Sequence, residues 1–209
     1  MTRIVGLTIA MLAIGCANSY QSARVLAPGK TQVTVGVSRV DIISDGGGDD
    51  EALWLGDLQV RHGMGPKFEG GFRLQRSPGT GEAISILGFD PKFALTDPAS
   101  KTAISIGVPI SVLWFENGSD FEDGTILVTP SLFIGLELSP TVELVISPKV
   151  FYIKPDGADA EVELGGSIGV RFGDASRSWA VHPELGIVHF SEGDGESFLM
   201  FGVGISAGN

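Results

Sequence analysis

A single cysteine in 209 residues rules out an intrachain disulfide and any redox cysteine pair. Charge is also scarce, at 19% of residues, and its basic part scarcer still: 14 Lys+Arg stand against 25 Asp+Glu. A nucleic-acid-binding chain needs a basic footprint, so that class is excluded. A basic patch attracted to anionic lipid is excluded on the same ground. The apolar run at residues 4–14 is too short for a transmembrane helix, which needs about 20 residues. There are three histidines, and no phosphate loop, dinucleotide fingerprint or zinc spacing, so no cofactor and no metal site are expected.

What is abundant is glycine, 30 residues, and strict alternation. In residues 102–115, Ile104, Ile106, Val108, Ile110, Val112 and Trp114 take one parity, while Ala103, Ser105, Gly107, Pro109 and Ser111 take the other. A strand has a side-chain period of two, so one face is apolar and the other small and polar. The pattern recurs in runs at 30–43, 52–63, 68–77, 82–96, 102–116, 124–138, 141–154, 160–173, 178–191 and 195–206. Strands this long suit a bilayer, which takes about 9–11 tilted residues, better than a soluble sheet. The expected fold is all-β: a single up-and-down antiparallel transmembrane β-barrel of about ten strands, with small inward residues relieving crowding in the lumen.

Val33, Val35, Val37, Ile126, Val128, Leu132, Ile134, Leu136, Val142, Leu144, Ile146, Val150, Val162, Leu164, Ile168, Val170, Phe172, Leu199, Phe201, Val203 and Ile205 are assigned to the lipid face. Trp54, Phe68, Trp114, Phe115, Phe151, Tyr152, Trp179 and Phe190 fall near strand ends, where aromatic girdles are expected. Alternation slips between Ile86 and Gly88, which predicts a β-bulge. Pro109, Pro130, Pro148 and Pro183 lie inside strands, so each must sit at a bulge or a non-bonded position. Alternate connections differ in charge, one set carrying Asp45, Asp49, Asp50, Glu51, Glu116, Asp120, Glu122, Asp123, Asp156, Asp159, Glu192 and Asp194. An even strand number puts both termini on one side, and a periplasmic N-terminus would turn this acidic set outward.

The inward parity collects Asp57, Arg61, Glu69, Arg73, Asp90, Lys92, Glu137, Glu143, Lys149, Glu163, Arg171, His182 and Glu184. Mixed signs suit a lumen neutralised by ion pairs, because lone charges in a dry lumen are costly. A narrow barrel filled this way reads as a polar plug, and a thin ion or small-solute pore is the alternative. The run from Asp45 to Glu51 reads as a solvated loop, with a divalent cation as the other reading. An acidic rim could also meet lipopolysaccharide through shared divalent ions.

His189-Phe190-Ser191, followed by Glu192 and Glu196, resembles the His-x-Ser pair of outer-membrane lipid A deacylases, which implies a serine nucleophile and histidine base. The family has Asn after the serine where this chain has Glu192, and no catalytic triad is assigned.

Met1-Thr2-Arg3 forms a short positive n-region before residues 4–14, and Leu12-Ala13-Ile14-Gly15-Cys16 closes it. This ending resembles the bacterial lipobox, which implies a signal peptide at 1–15, acylation of Cys16, a lipidated tether at 16–29 and a barrel domain at 30–209. Gly15-Cys16-Ala17 also fits ordinary cleavage after Ala17. The chain as a whole resembles small bacterial outer-membrane β-barrel proteins with a lipoprotein-type start. The expected role is structural or surface-interacting, without catalysis, in contact with outer-membrane lipid. The alternatives are a narrow channel, a deacylase-like hydrolase at the outer leaflet, and a soluble lipid-anchored β-sandwich.

Overall fold

The computed structural model describes residues 18–43, 52–78, 82–97, 100–117, 120–174, 178–190 and 197–208. Alternating runs become strands β1 Thr31–Ile43, β2 Leu53–Gly65, β3 Phe68–Arg76, β4 Glu82–Phe89, β5 Lys92–Ala94, β6 Thr102–Gly107, β7 Ile110–Asn117, β8 Asp120–Val128, β9 Ser131–Ser139, β10 Val142–Lys154, β11 Glu161–Gly173, β12 Trp179–His189 and β13 Ser197–Gly208. Three pairs are single barrel strands interrupted once, β4 with β5, β6 with β7, and β8 with β9, leaving ten strands in an antiparallel ring. The ring closes because β1 pairs β13 from Gln32↔Gly208 to Ile43↔Ser197. Closure leaves no free edge and excludes the two-sheet sandwich.

The interruptions explain the prolines. Breaks fall at Asp90-Pro91, Val108-Pro109 and Thr129-Pro130. At each break the proline carbonyl accepts an amide of the next strand: Val108 N–H to Pro91 at 3.1 Å, Thr129 N–H to Pro109 at 2.9 Å, and Val150 N–H to Pro130 at 3.0 Å. The β9–β10 ladder skips Pro148 between Ile146↔Ile134 and Lys149↔Ser131. The β11–β12 ladder likewise skips Pro183 between Gly169↔Glu184 and Phe172↔Val181. Each of these five prolines therefore stands at a break in its strand or opposite a gap in a neighbouring ladder, where a missing donor costs least.

Three expectations are corrected. The fourth barrel strand keeps its parity: Ile84, Ile86, Gly88, Asp90 and Lys92 are buried inward, Leu87, Phe89 and Phe93 are exposed outward, and neither ladder shifts register. The apparent slip arose because Ile84 and Ile86 are apolar residues facing inward. Phe151 and Phe190 do not join an outer girdle, since both are buried inside the barrel. The acidic stretch around Asp120, Glu122 and Asp123 is not loop: β7 and β8 run as a hairpin with Phe115↔Glu122 and Glu116↔Phe121, after a register shift beyond Leu113.

Outside, the assigned lipid-facing residues form an exposed apolar band, with Val35, Leu164, Phe201 and Ile205 among the most exposed, and Trp54, Tyr152 and Trp179 also face out. Inside, the two halves differ. Toward the far end, opposite Lys30, a dry layer is built from Val40, Leu55, Ile84, Ile86, Leu113, Leu127, Phe151, Ile153, Val188, Phe190, Phe198 and Met200. Phe190 and Phe198 meet edge to face, with centroids 5.3 Å apart. Burying each large side chain contributes about 1.5–3 kcal/mol, so the layer closes that end as a protein core does. The half nearer Lys30 is polar and charged, and it is occupied.

Candidate functional site

The occupant is the chain itself. Residues 18–26, expected as part of an outlying tether, lie in the lumen: Asn18, Ser19, Tyr20, Gln21 and Ala23 are all buried. The segment leaves near Gly63, where Gly29 N–H donates to the Gly63 carbonyl at 2.8 Å, and then enters β1. Cys16 and residues 1–15 lie outside the described residues.

Glycines carve the path. An added Cβ at Gly36 would stand 2.7 Å from the Tyr20 ring, one at Gly204 likewise 2.7 Å, and one at Gly202 would collide with the Tyr20 hydroxyl. The ring fills the slot left by these three glycines of β1 and β13, and its hydroxyl donates to the Val37 carbonyl at 3.1 Å. At Gly135 an added Cβ would come within 2.7 Å of Ala23.

Charged wall residues bind the segment's backbone. Glu184 accepts two successive amides, Ser19 N–H at 2.9 Å and Tyr20 N–H at 2.6 Å. Tyr20 is the one non-glycine residue with positive φ, 50°, among the described residues. That left-handed turn points consecutive amides at one anion, the geometry of a backbone nest, and it carries a strain of about 1–3 kcal/mol. Glu69 accepts Leu26 N–H at 2.5 Å. Arg73 donates to the Asn18 carbonyl at 2.5 Å, Gln59 to the Ser19 carbonyl at 2.9 Å, and Lys92 to the Ser22 carbonyl at 2.8 Å. Side chains join as well: Lys149 to Ser19 Oγ at 2.7 Å, Ser22 Oγ to Glu143 at 2.7 Å, and Arg24 to Glu137 at 2.9 Å.

The wall charges pair among themselves. Arg61 bridges Glu69 at 2.7 Å and also pairs Asp90. Lys92 lies 2.7 Å from Glu69 and above the Phe133 ring. Arg73 pairs Asp57. His182 meets Ser206 Oγ at 3.0 Å. Arg171 and Glu143 face each other across β10 and β11, and buried Glu163 lies opposite Phe151 at the level of the apolar layer. Such pairs suit a low-dielectric interior only when each partner is satisfied. Two cavities among the described residues are small, about 50 Å³ beside Arg24 and Lys92 and about 20 Å³ beside Ser19 and Lys149. They are room for a few waters.

Of the His-x-Ser pair, His189 alone lies among the described residues. His189 Nδ1 lies 3.0 Å from Ser197 Oγ, its cross-strand neighbour in β13, while Ser191 lies outside the described residues. The acidic run 44–51 lies outside them too. Among the described residues no cluster of His, Cys, Asp or Glu could hold a metal ion, and no helix is long and apolar enough to cross a membrane.

Residues 18–26 and their glycine slot were missed by sequence reasoning. The available signal was a polar run rich in small residues next to a wall with unmatched inward charges.

A closed, ten-stranded barrel with an apolar outer band and a self-filled lumen has the fold of outer-membrane β-barrels. The chain resembles the translocator domain of the autotransporter NalP from Neisseria meningitidis, with TM-score 0.52 and 10% identity, covering 99% of this chain and 95% of that one. It also resembles an outer membrane channel from Pseudomonas putida F1, with TM-score 0.56 and 11% identity over 90% of this chain and 98% of that one. At these identities the likeness is one of fold. No protein-family model matches the sequence, and no curated protein matches it.

Proposed function

We propose that the protein is a sealed barrel of the bacterial outer membrane with a structural or surface-interacting role, neither conducting nor catalytic. The observation that carries this reading is the lumen, filled by residues 18–26 in one half and by the apolar layer in the other. In this reading the Lys30 end faces the periplasm, and the acidic hairpins, with exposed Asp156 and Asp159 among them, face outward toward lipopolysaccharide and its divalent ions. Acylation of Cys16 belongs to the same reading, supported by the Leu12-to-Cys16 motif. Metabolic labelling with palmitate should mark the chain and fail with Cys16→Ser.

Planar-bilayer recording tests the central claim. A flat trace at all voltages is expected, and steady single-channel steps from the purified protein would overturn it in favour of the narrow channel.

A further inference from the structure

Residues 18–26 are held in the manner of a ligand. Their backbone amides and carbonyls bond to wall side chains, Glu184 and Glu69 on one hand and Arg73, Gln59 and Lys92 on the other. The wall is complete without them, because the ring of strands closes on itself from β1 to β13. The slot for Tyr20 is made of glycines whose added Cβ atoms would each meet the Tyr20 side chain, with the Asn18 amide also against Gly202. The strained φ of Tyr20 is matched to Glu184 and would relax once that carboxylate let go.

We propose that the half of the lumen nearer Lys30 is a peptide-binding site, and that residues 18–27 are its resident ligand, released and rebound while the barrel stays closed. The ligand class is a short extended peptide. It offers successive amides to Glu184, an aromatic ring to the slot between Gly36, Gly202 and Gly204, and a cation to Glu137. Release opens a polar vestibule that ends blindly at the apolar layer, so the inference goes beyond the sealed-barrel reading and does not depend on membrane sidedness.

Two measurements on full-length protein in micelles test it. In a Cys16→Ser background, Ser19→Cys should react with a maleimide at least about tenfold faster than Met200→Cys, because local opening is less costly than global opening. Equal rates would mean that the segment is exposed only when the barrel unfolds, and would overturn the proposal. Second, Tyr20→Ala with Arg24→Ala weakens the resident ligand while leaving the site intact. A fluorescent peptide of residues 18–27 should bind this variant saturably and about tenfold more tightly than wild type, since the tethered segment competes at high effective concentration. Absence of any gain, with heat-shifted gel mobility confirming a closed barrel, would overturn it. If that variant does not close, the thiol rates decide alone.

Discussion

Replacing Glu184 by alanine removes the acceptor of two successive amides and leaves Ser19 and Tyr20 unpaired in a buried site. An unsatisfied buried group costs about 1–3 kcal/mol, so amide exchange at these two residues should speed up about 10- to 100-fold, with wall amides unchanged. Gly204→Ala should act through sterics, because its Cβ would stand 2.7 Å from Tyr20 and displace the ring. Gly56→Ala is the matched comparison, since its Cβ would meet nothing closer than 3.7 Å. Exposure of Tyr20, read by fluorescence quenching, should rise for the first and not the second. At this scale the lumen charges were legible from parity alone: Asp57, Arg61, Glu69, Asp90, Lys92, Glu143, Lys149, Glu163, Arg171, His182 and Glu184 are all buried inward. Their partners were not legible, because Arg24 lies more than a hundred residues from Glu137 in sequence and meets it only in the folded ring.

At the scale of elements, strand ends were read to within a few residues because turn chemistry and alternation agree. Examples are the Pro66-Lys67 turn before β3 and the Ser139-Pro140-Thr141 turn before β10. The fourth strand was misread for a physical reason. A hydrophobic residue signals burial, but in a membrane barrel it can face lipid or an internal core, and Ile84 and Ile86 face the core. The same ambiguity misplaced Phe151 and Phe190. Phe198→Ala should therefore behave as a core truncation, costing about 3–5 kcal/mol, measured by denaturant unfolding of the barrel in micelles. Pro109→Ala should cost under about 1 kcal/mol in the same assay, because the ladder is already broken there and the carbonyl that takes Thr129 N–H is retained.

For the whole molecule, the outer band sets the solvent. Ile168 stands outward in the middle of β11, so Ile168→Arg should destabilise the protein in bilayers by about 2–4 kcal/mol if that position lies near the midplane. The loss should be much smaller in water-rich detergent.

Alternation by itself determined the class of fold, the strand number, the lipid-facing band and the set of inward charges, because a side-chain period of two is a local property that every strand carries. Glycine abundance likewise announced a crowded interior. The tertiary structure decided what that interior holds. The seating of residues 18–26 inside the lumen, and the division of the lumen into a polar half and a dry half, depend on contacts between strands far apart in sequence. A pattern of neighbours along the chain does not contain those contacts, and only closure of β1 on β13 brings them together.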